Sequence, residues 1–146
     1  MITTIKPFNE LSTQDLYDIL ALRNAIFIVE QHCPYQDLDY KDQQALHVCI
    51  QENQTLLAYA RILPHYDANI VSFGRIVTST AARGKGLGKQ LLVGVMNYLQ
   101  AHFAGKIIHI HAQLYLKRFY EAFGFSCEGE PFDEDGIPHI LMVKPL

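Results

Sequence analysis

The residues best placed to do chemistry are Arg83-Gly84-Lys85-Gly86-Leu87-Gly88-Lys89, a glycine-rich basic run at mid-chain. Glycine lets the backbone approach a ligand closely and take positive φ. If a helix starts there, its first amides point at an anion. Such a run is suited to a phosphate, and spacing excludes two common phosphate loops. A nucleoside-triphosphate loop needs Gly, four residues, then Gly-Lys-Ser/Thr. Counting back from Gly88-Lys89 puts Arg83 at the glycine position and Gln90 at the hydroxyl position. The dinucleotide pattern Gly-x-Gly-x-x-Gly ends on Lys89 when started at Gly84, and on Leu91 when started at Gly86. What remains is Arg83-x-x-Gly86-x-Gly88.

The flanking periodicities say what holds this run. Upstream, the β-branched sequence Ile76, Val77, Thr78 reads as strand. Downstream, Leu87, Leu91, Val95 and Leu99 recur every fourth residue, with Leu92 and Phe103 widening the stripe, and Gly105 stops the helix. Around this centre, Ile2 to Lys6 is a first strand closed by Pro7. Ser12 and Asp15 cap a helix with the stripe Leu16, Ile19, Leu20, Arg23, Ile26, Phe27. Leu46–Gln51 and Leu56–Leu63 form a hairpin about Glu52-Asn53-Gln54, and a loop from His65 to Asn69 leads to the central strand. Lys106 to Ala112 is the next strand, with Ile107, His109 and His111 on one face. Two histidines at that spacing could bind a metal, but no third ligand accompanies them, so hydrogen-bonded, partly buried rings are expected. Gln113 to Phe123 reads as a short helix, Phe125 to Gly129 as the start of a strand, Glu130 to Gly136 as an acidic turn and Ile137 to Lys144 as the last strand. Hairpins require antiparallel neighbours and strand–helix–strand units parallel ones, so an α/β fold with a mixed sheet is expected over one domain, residues 1–146.

Composition narrows the class. The chain has 146 residues, 49% of them hydrophobic, which is ample for one core. Twelve Lys and Arg against 15 Asp and Glu give a net charge of −3, without the basic footprint of a nucleic-acid binder. The first residues lack a signal-peptide plan, and no apolar run approaches the roughly 20 residues that span a bilayer. Cys33, Cys49 and Cys127 suggest neither a disulfide framework nor zinc. A soluble protein of a reducing cytoplasm is the expectation.

Three stretches carry a family resemblance. Arg83-x-x-Gly86-x-Gly88, between strand and helix, resembles the coenzyme A pyrophosphate loop of the GNAT family of N-acetyltransferases. Phe119-Tyr120-Glu121-Ala122-Phe123-Gly124-Phe125 resembles the family's Phe-Tyr-x-x-x-Gly-Phe signature. Phe27-Ile28-Val29-Glu30-Gln31, followed by Pro34-Tyr35-Gln36-Asp37-Leu38-Asp39, is similar to the ElaA-type subfamily. The resemblance covers nearly the whole chain. It implies a mostly antiparallel central sheet flanked by helices, whose parallel fourth and fifth strands, here Phe73–Ser79 and Lys106–Ala112, splay apart to admit the pantetheine arm.

It also implies acetyl-coenzyme A as cosubstrate, no metal, and acetyl transfer to a primary amine within a ternary complex. A non-catalytic acyl-coenzyme A-binding module is the alternative. The cofactor contacts expected are the main chain of Ile76, Val77 and Thr78, pairing with the arm like an added strand, and Arg83, Gly84, Lys85, Gly86, Leu87, Gly88 and Lys89 around the pyrophosphate. The Tyr120 hydroxyl would protonate the departing thiolate, since a phenol of pKa about 10 holds its proton at neutral pH. A main-chain amide of the central strand, Val77, would face the developing oxyanion. For the base that deprotonates the amine, Glu30 comes first and His139 second, with His111, Glu128, Glu130 and Asp133 as further candidates. The acids of Glu30–Asp39 and Glu130–Asp135 would form an acidic mouth favouring a cationic amine. Coenzyme A and the amine are the expected partners, with no nucleic acid or membrane; a homodimer is compatible with this reading.

Overall fold

A computed structural model describes residues 1–146. A seven-stranded sheet runs through the chain: β1 (Ile2–Pro7), β2 (Leu46–Glu52), β3 (Thr55–Leu63), β4 (Ile70–Thr78), β5 (Ile107–Gln113), β6 (Ser126–Glu134) and β7 (Ile137–Pro145). Their order in space is β1-β2-β3-β4-β5-β7-β6. All neighbours are antiparallel except β4 and β5. Those two pair only at Ile70↔Ile107 and Val71↔Ile108, then separate, which is the splay expected of them.

Helix α1 (Thr13–Arg23) begins at a full capping box, with Ser12 Oγ accepting from the Asp15 amide and the Asp15 carboxylate accepting from the Ser12 amide. It runs directly into a π-helical turn, Asn24–Glu30. Helix α2 (Leu87–His102) starts on Gly86 and buries Leu87, Leu91, Leu92, Val95 and Leu99, the stripe read from the sequence. The main core lies between one sheet face, α2 and the short α3 (Lys117–Glu121). A smaller cluster of Ile19, Ile26, Cys49, Leu56, Tyr59 and Val77 joins the other face to α1 and the π turn. On that face α1 packs against β3 and β4. Beside it, His109, His111, His139 and Leu141 line a groove.

One irregularity decides which residues look which way. Tyr59 pairs with Val77 and Arg61 with Gly74, so Arg75 and Ile76 together face Ala60 in a β-bulge. The extra residue inverts the alternation. Phe73 packs in the main core and Ile76 against it, while Val77 turns to the α1 side.

The C-terminal half departs from the sequence reading. The expected acidic turn from Glu130 is strand, because β6 continues to Glu134; a register shift between Glu128 and Phe132, with Gly129 at φ 73°, absorbs the irregularity. Only Asp135-Gly136, at φ 54° and 80°, makes the two-residue turn. The helix expected from Gln113 to Phe123 is shorter, since Gln113 stays paired with His139 and Leu114–Leu116 forms a 3₁₀ turn before α3. No helix is long and apolar enough to cross a membrane.

Candidate active site

Where β4 and β5 part, a cleft of about 1040 Å³ opens, lined by Ile76, Val77 and Thr78 of β4 and by Arg83, Gly88 and Tyr120. Its opposite wall carries Tyr35, Asp39, Arg61, His111, Glu134 and His139. Glu30 lines the same space, so candidates 90 residues apart in sequence come to one cavity.

The loop before α2 has the form of an anion cradle. No acceptor within the protein takes the amides of Gly84 through Lys89. Gly84 and Gly86 hold φ of 80° and 72°, which glycine adopts without strain. A Cβ built on Gly84, Gly86 or Gly88 would meet no protein atom within 4 Å. Glycine at position 88 is therefore not required by packing, and its bareness keeps free amides approachable. A diphosphate fits this donor set. Arg83 adds a cation, paired in the free protein with Glu30 at 2.6 Å. Both side chains are about half exposed, so the pair is weak and open to displacement by a stronger anion.

Tyr120 sits in α3, its ring packed among Phe73, Phe119 and Phe125. Burial, with Tyr115 adding to it, pushes its hydroxyl up to about 12. The ring is buried, but the hydroxyl has no partner in the protein and opens to the cleft. The backbone after α3 is pinned by Lys144, whose ammonium donates to Phe123 O at 2.6 Å.

On the far wall, His139 is buried and its Nδ1–H donates to Ile137 O at 2.7 Å. In the neutral ring this leaves a lone pair on Nε2, 3.4 Å from Glu134 Oε2. Glu134 Oε1 lies 3.3 Å from Nδ1 of His111, which is exposed rather than partly buried. Cys33 Sγ donates to Asp135 O at 2.7 Å, tying the β6–β7 turn to the segment after the π turn.

Comparison with known proteins matches this geometry to one family. The model of the acetyltransferase (GNAT) domain matches residues 12–146. The chain belongs to the GNAT acetyltransferase family. It is 42% identical to Protein ElaA of Escherichia coli over 141 residues, 94% of this chain and 92% of that protein. The crystal structure of E. coli ElaA superposes with a TM-score of 0.92 at 40% identity, covering 98% of both chains. An acyl-CoA N-acyltransferase from Pseudomonas aeruginosa gives 0.92 at 35% identity over 99% of both. This GNAT protein is accordingly an enzyme of the N-acetyltransferase type, drawing its acyl group from acyl-coenzyme A.

In the wall of this GNAT enzyme's cleft, and extending behind it, lies a charged lattice that the sequence reading missed. Arg23, fully buried, donates to Asp37 at 2.9 Å and to Asp42 at 2.7 Å. Arg61 grips both oxygens of Asp39 at 2.8 Å and reaches Asp42 at 3.1 Å. Arg75 holds Asp37 at 2.7 Å, touches Asp39 at 3.5 Å and lies over the Tyr35 ring. Three guanidinium groups thus face three carboxylates, and the buried sum is zero. Asp37 and Asp39, expected in an acidic mouth, are neutralised here. His47 completes the lattice: a carbonyl only accepts, so Nε2–H donates to Asp42 O, and Nδ1 accepts from the Tyr59 hydroxyl. One signal for the lattice was available, namely Arg23 on an otherwise apolar helical stripe.

Burial alone would raise the Asp42 carboxyl, yet the Arg23 hydrogen bond and the charges of Arg23 and Arg61 hold it below the usual carboxylate range; Asp39 is held low similarly, chiefly by Arg61. Burial pushes His47 below the usual imidazole range. In each case the unfolded chain binds protons that the folded one refuses, so stability rises with pH. Chemical unfolding should show stability falling below about pH 6.5 through His47 and more steeply below about pH 4 through the carboxylates. A flat profile from neutral pH to about pH 3 would contradict the lattice. Arg23→Ala should cost about 3–5 kcal/mol in urea unfolding, because it strands buried carboxylates. Gly88→Val should leave the thermal midpoint nearly unchanged but abolish calorimetric binding of coenzyme A.

Proposed function

We propose that this enzyme transfers an acetyl group from acetyl-coenzyme A to a cationic primary amine by direct attack in a ternary complex. The observation that carries the reading is the hydroxyl of the buried Tyr120, which has no partner in the protein and opens to the same cleft as Ile76–Thr78 and the phosphate-loop residues Arg83 and Gly88. Acetyl-coenzyme A supplies the activated carbonyl. The main chain of Ile76, Val77 and Thr78 holds the pantetheine arm as an added strand. The amides of Gly84 to Lys89, with Arg83, Lys85 and Lys89, hold the pyrophosphate. The Thr78 amide, on the side of β4 turned away from β3, donates to the carbonyl oxygen as charge develops there; the Val77 amide expected for this role faces Tyr59 of β3 instead. As the carbon–nitrogen bond forms and the carbon–sulfur bond breaks, the Tyr120 proton passes to the departing thiolate.

The cationic amine must lose two protons, one before it attacks and one as the amide forms; one is released to solvent and the other makes good the proton that Tyr120 gives to the thiolate. His139 is the favoured acceptor, because its Nε2 lone pair faces the cleft wall beside Glu134, whose charge stabilises the imidazolium. Glu30 can serve only when its pair with Arg83 opens, as it would once the pyrophosphate claims Arg83. The acidic side of the acceptor site narrows to Glu134 and Asp135, neither of which pairs with a lysine or arginine; they favour a cation.

A thiol-release screen of amines and peptides at two salt concentrations tests this reading. Cationic primary amines should react fastest, with a rate that falls as salt rises; preference for neutral or acidic acceptors overturns it. Tyr120→Phe should lower turnover ~10²-fold up to about pH 10 with coenzyme A affinity unchanged, because the phenol stays protonated throughout. A non-catalytic acyl-coenzyme A-binding module would release no thiol with any amine and would be indifferent to that substitution.

A further inference from the structure

The bulge in β4 contains a residue ill suited to it. Arg75 sits at φ 51°, in the left-handed region that non-glycine residues seldom occupy. Its side chain is engaged at every turn. Nε donates to Asp37 Oδ1 at 2.7 Å, Nη2 to Asp37 O at 3.1 Å and to Asp39 Oδ2 at 3.5 Å. Asp37 is itself buried and held from behind by Arg23, through both carboxylate and carbonyl. An unfavourable backbone conformation persists where its surroundings over-determine it, and here the surroundings are a fixed carboxylate.

We propose that Arg75 is a positioning residue: clamped by Asp37 and Asp39, it holds the β4 bulge that turns Val77 towards the acceptor side of the cleft. The register makes the consequence concrete. On the near side of the bulge Arg61 pairs with Gly74 and Ile62 with Phe73. Continued without the extra residue, that register would set Ile76 opposite Tyr59, where Val77 now stands, and every later residue of β4 would change face. The amide proposed for the oxyanion and the main chain proposed for the pantetheine arm would both be displaced. The same clamp joins the acceptor-side segment carrying Tyr35, Asp37 and Asp39 to the strand on which the acyl carbonyl would lie.

This inference rests on the acetyl-transfer reading, and the test separates the two. Arg75→Ala, Arg75→Gly and Arg75→Lys are compared for kcat, for KM with acetyl-coenzyme A, for unfolding midpoint, and for amide hydrogen exchange at Ile76, Val77 and Thr78. Alanine keeps the strained backbone and loses the clamp, so kcat should fall at least ~10-fold and exchange at the three amides should accelerate. Glycine takes positive φ freely, so it should restore exchange protection and part of kcat. Lysine, a single point charge, should fall between alanine and wild type. Unchanged kcat and exchange in Arg75→Ala overturn the proposal. So does equal impairment of the alanine and glycine variants, which would mean that the guanidinium acts on substrate directly. A lowered midpoint with kcat of the folded enzyme intact would reduce Arg75 to a structural role and likewise overturn it. If the wild type transfers to no amine, the functional reading fails, while the exchange measurement still decides whether Arg75 holds the bulge.

Discussion

Asp37 is gripped from two sides, by Arg23 of α1 and by Arg75 of β4, and the arrangement of the cleft depends on that double grip. Removing an ion from water costs several kcal/mol, even after relaxation. A buried carboxylate therefore persists only where geometry supplies partners, and here two guanidinium groups arrive from elements far apart in sequence. Asp42 repeats the device between Arg23 and Arg61, and Asp39 between Arg61 and Arg75. Three pairs of opposite charge leave little net field, but their directions are specific. They fix the path of the segment from Tyr35 to Asp42 over the sheet, where an apolar contact would allow it to slide.

That fixed path matters because the two faces of the sheet are covered unequally. On one face α2 and α3 make a continuous apolar core. On the other, α1 and the π turn pack over β3 and β4, while His109, His111 and His139 of β5 and β7 face a groove. The cleft combines this groove with the gap opened by the parting of β4 and β5. Ligand sites formed in this way need no moving part to exist. They arise from a parallel pair that stops after two residue pairs and from a bulge that reverses the facing of Val77 and Thr78.

The groups lining the cleft are divided by chemistry. One wall offers unpaired amides and a phenol that keeps its proton, which are donors for an anion and for a leaving thiolate. The other offers an imidazole lone pair and two carboxylates without lysine or arginine partners, which are acceptors for a cation and its proton. Such a polarity suits a reaction in which a proton enters on one side and leaves on the other.

Much of this was legible in the amino-acid order alone. The glycine-rich loop, the helix behind it and the helical turn carrying Tyr120 are local features, set by glycine conformation, by the spacing of leucines and by a motif within seven residues, and their local form is the one the sequence implied. The mixed sheet followed from hairpin and crossover rules, and the splay of its central strands from the family resemblance. The acidic stretch from Glu130 was misread, because a strand with charged residues on an exposed sheet edge looks like a loop until its partner, β7, is known. Only the tertiary structure decided the fate of the charges. Asp37, Asp39 and Glu30 read as free acids because Arg23, Arg61, Arg75 and Arg83 lie 14 to 53 residues away. Coulomb attraction depends on distance in space, and that distance is set by how the sheet registers its strands. The bulge at Arg75 was equally invisible, since β-strand alternation carries no mark of an inserted residue until a partner strand counts it.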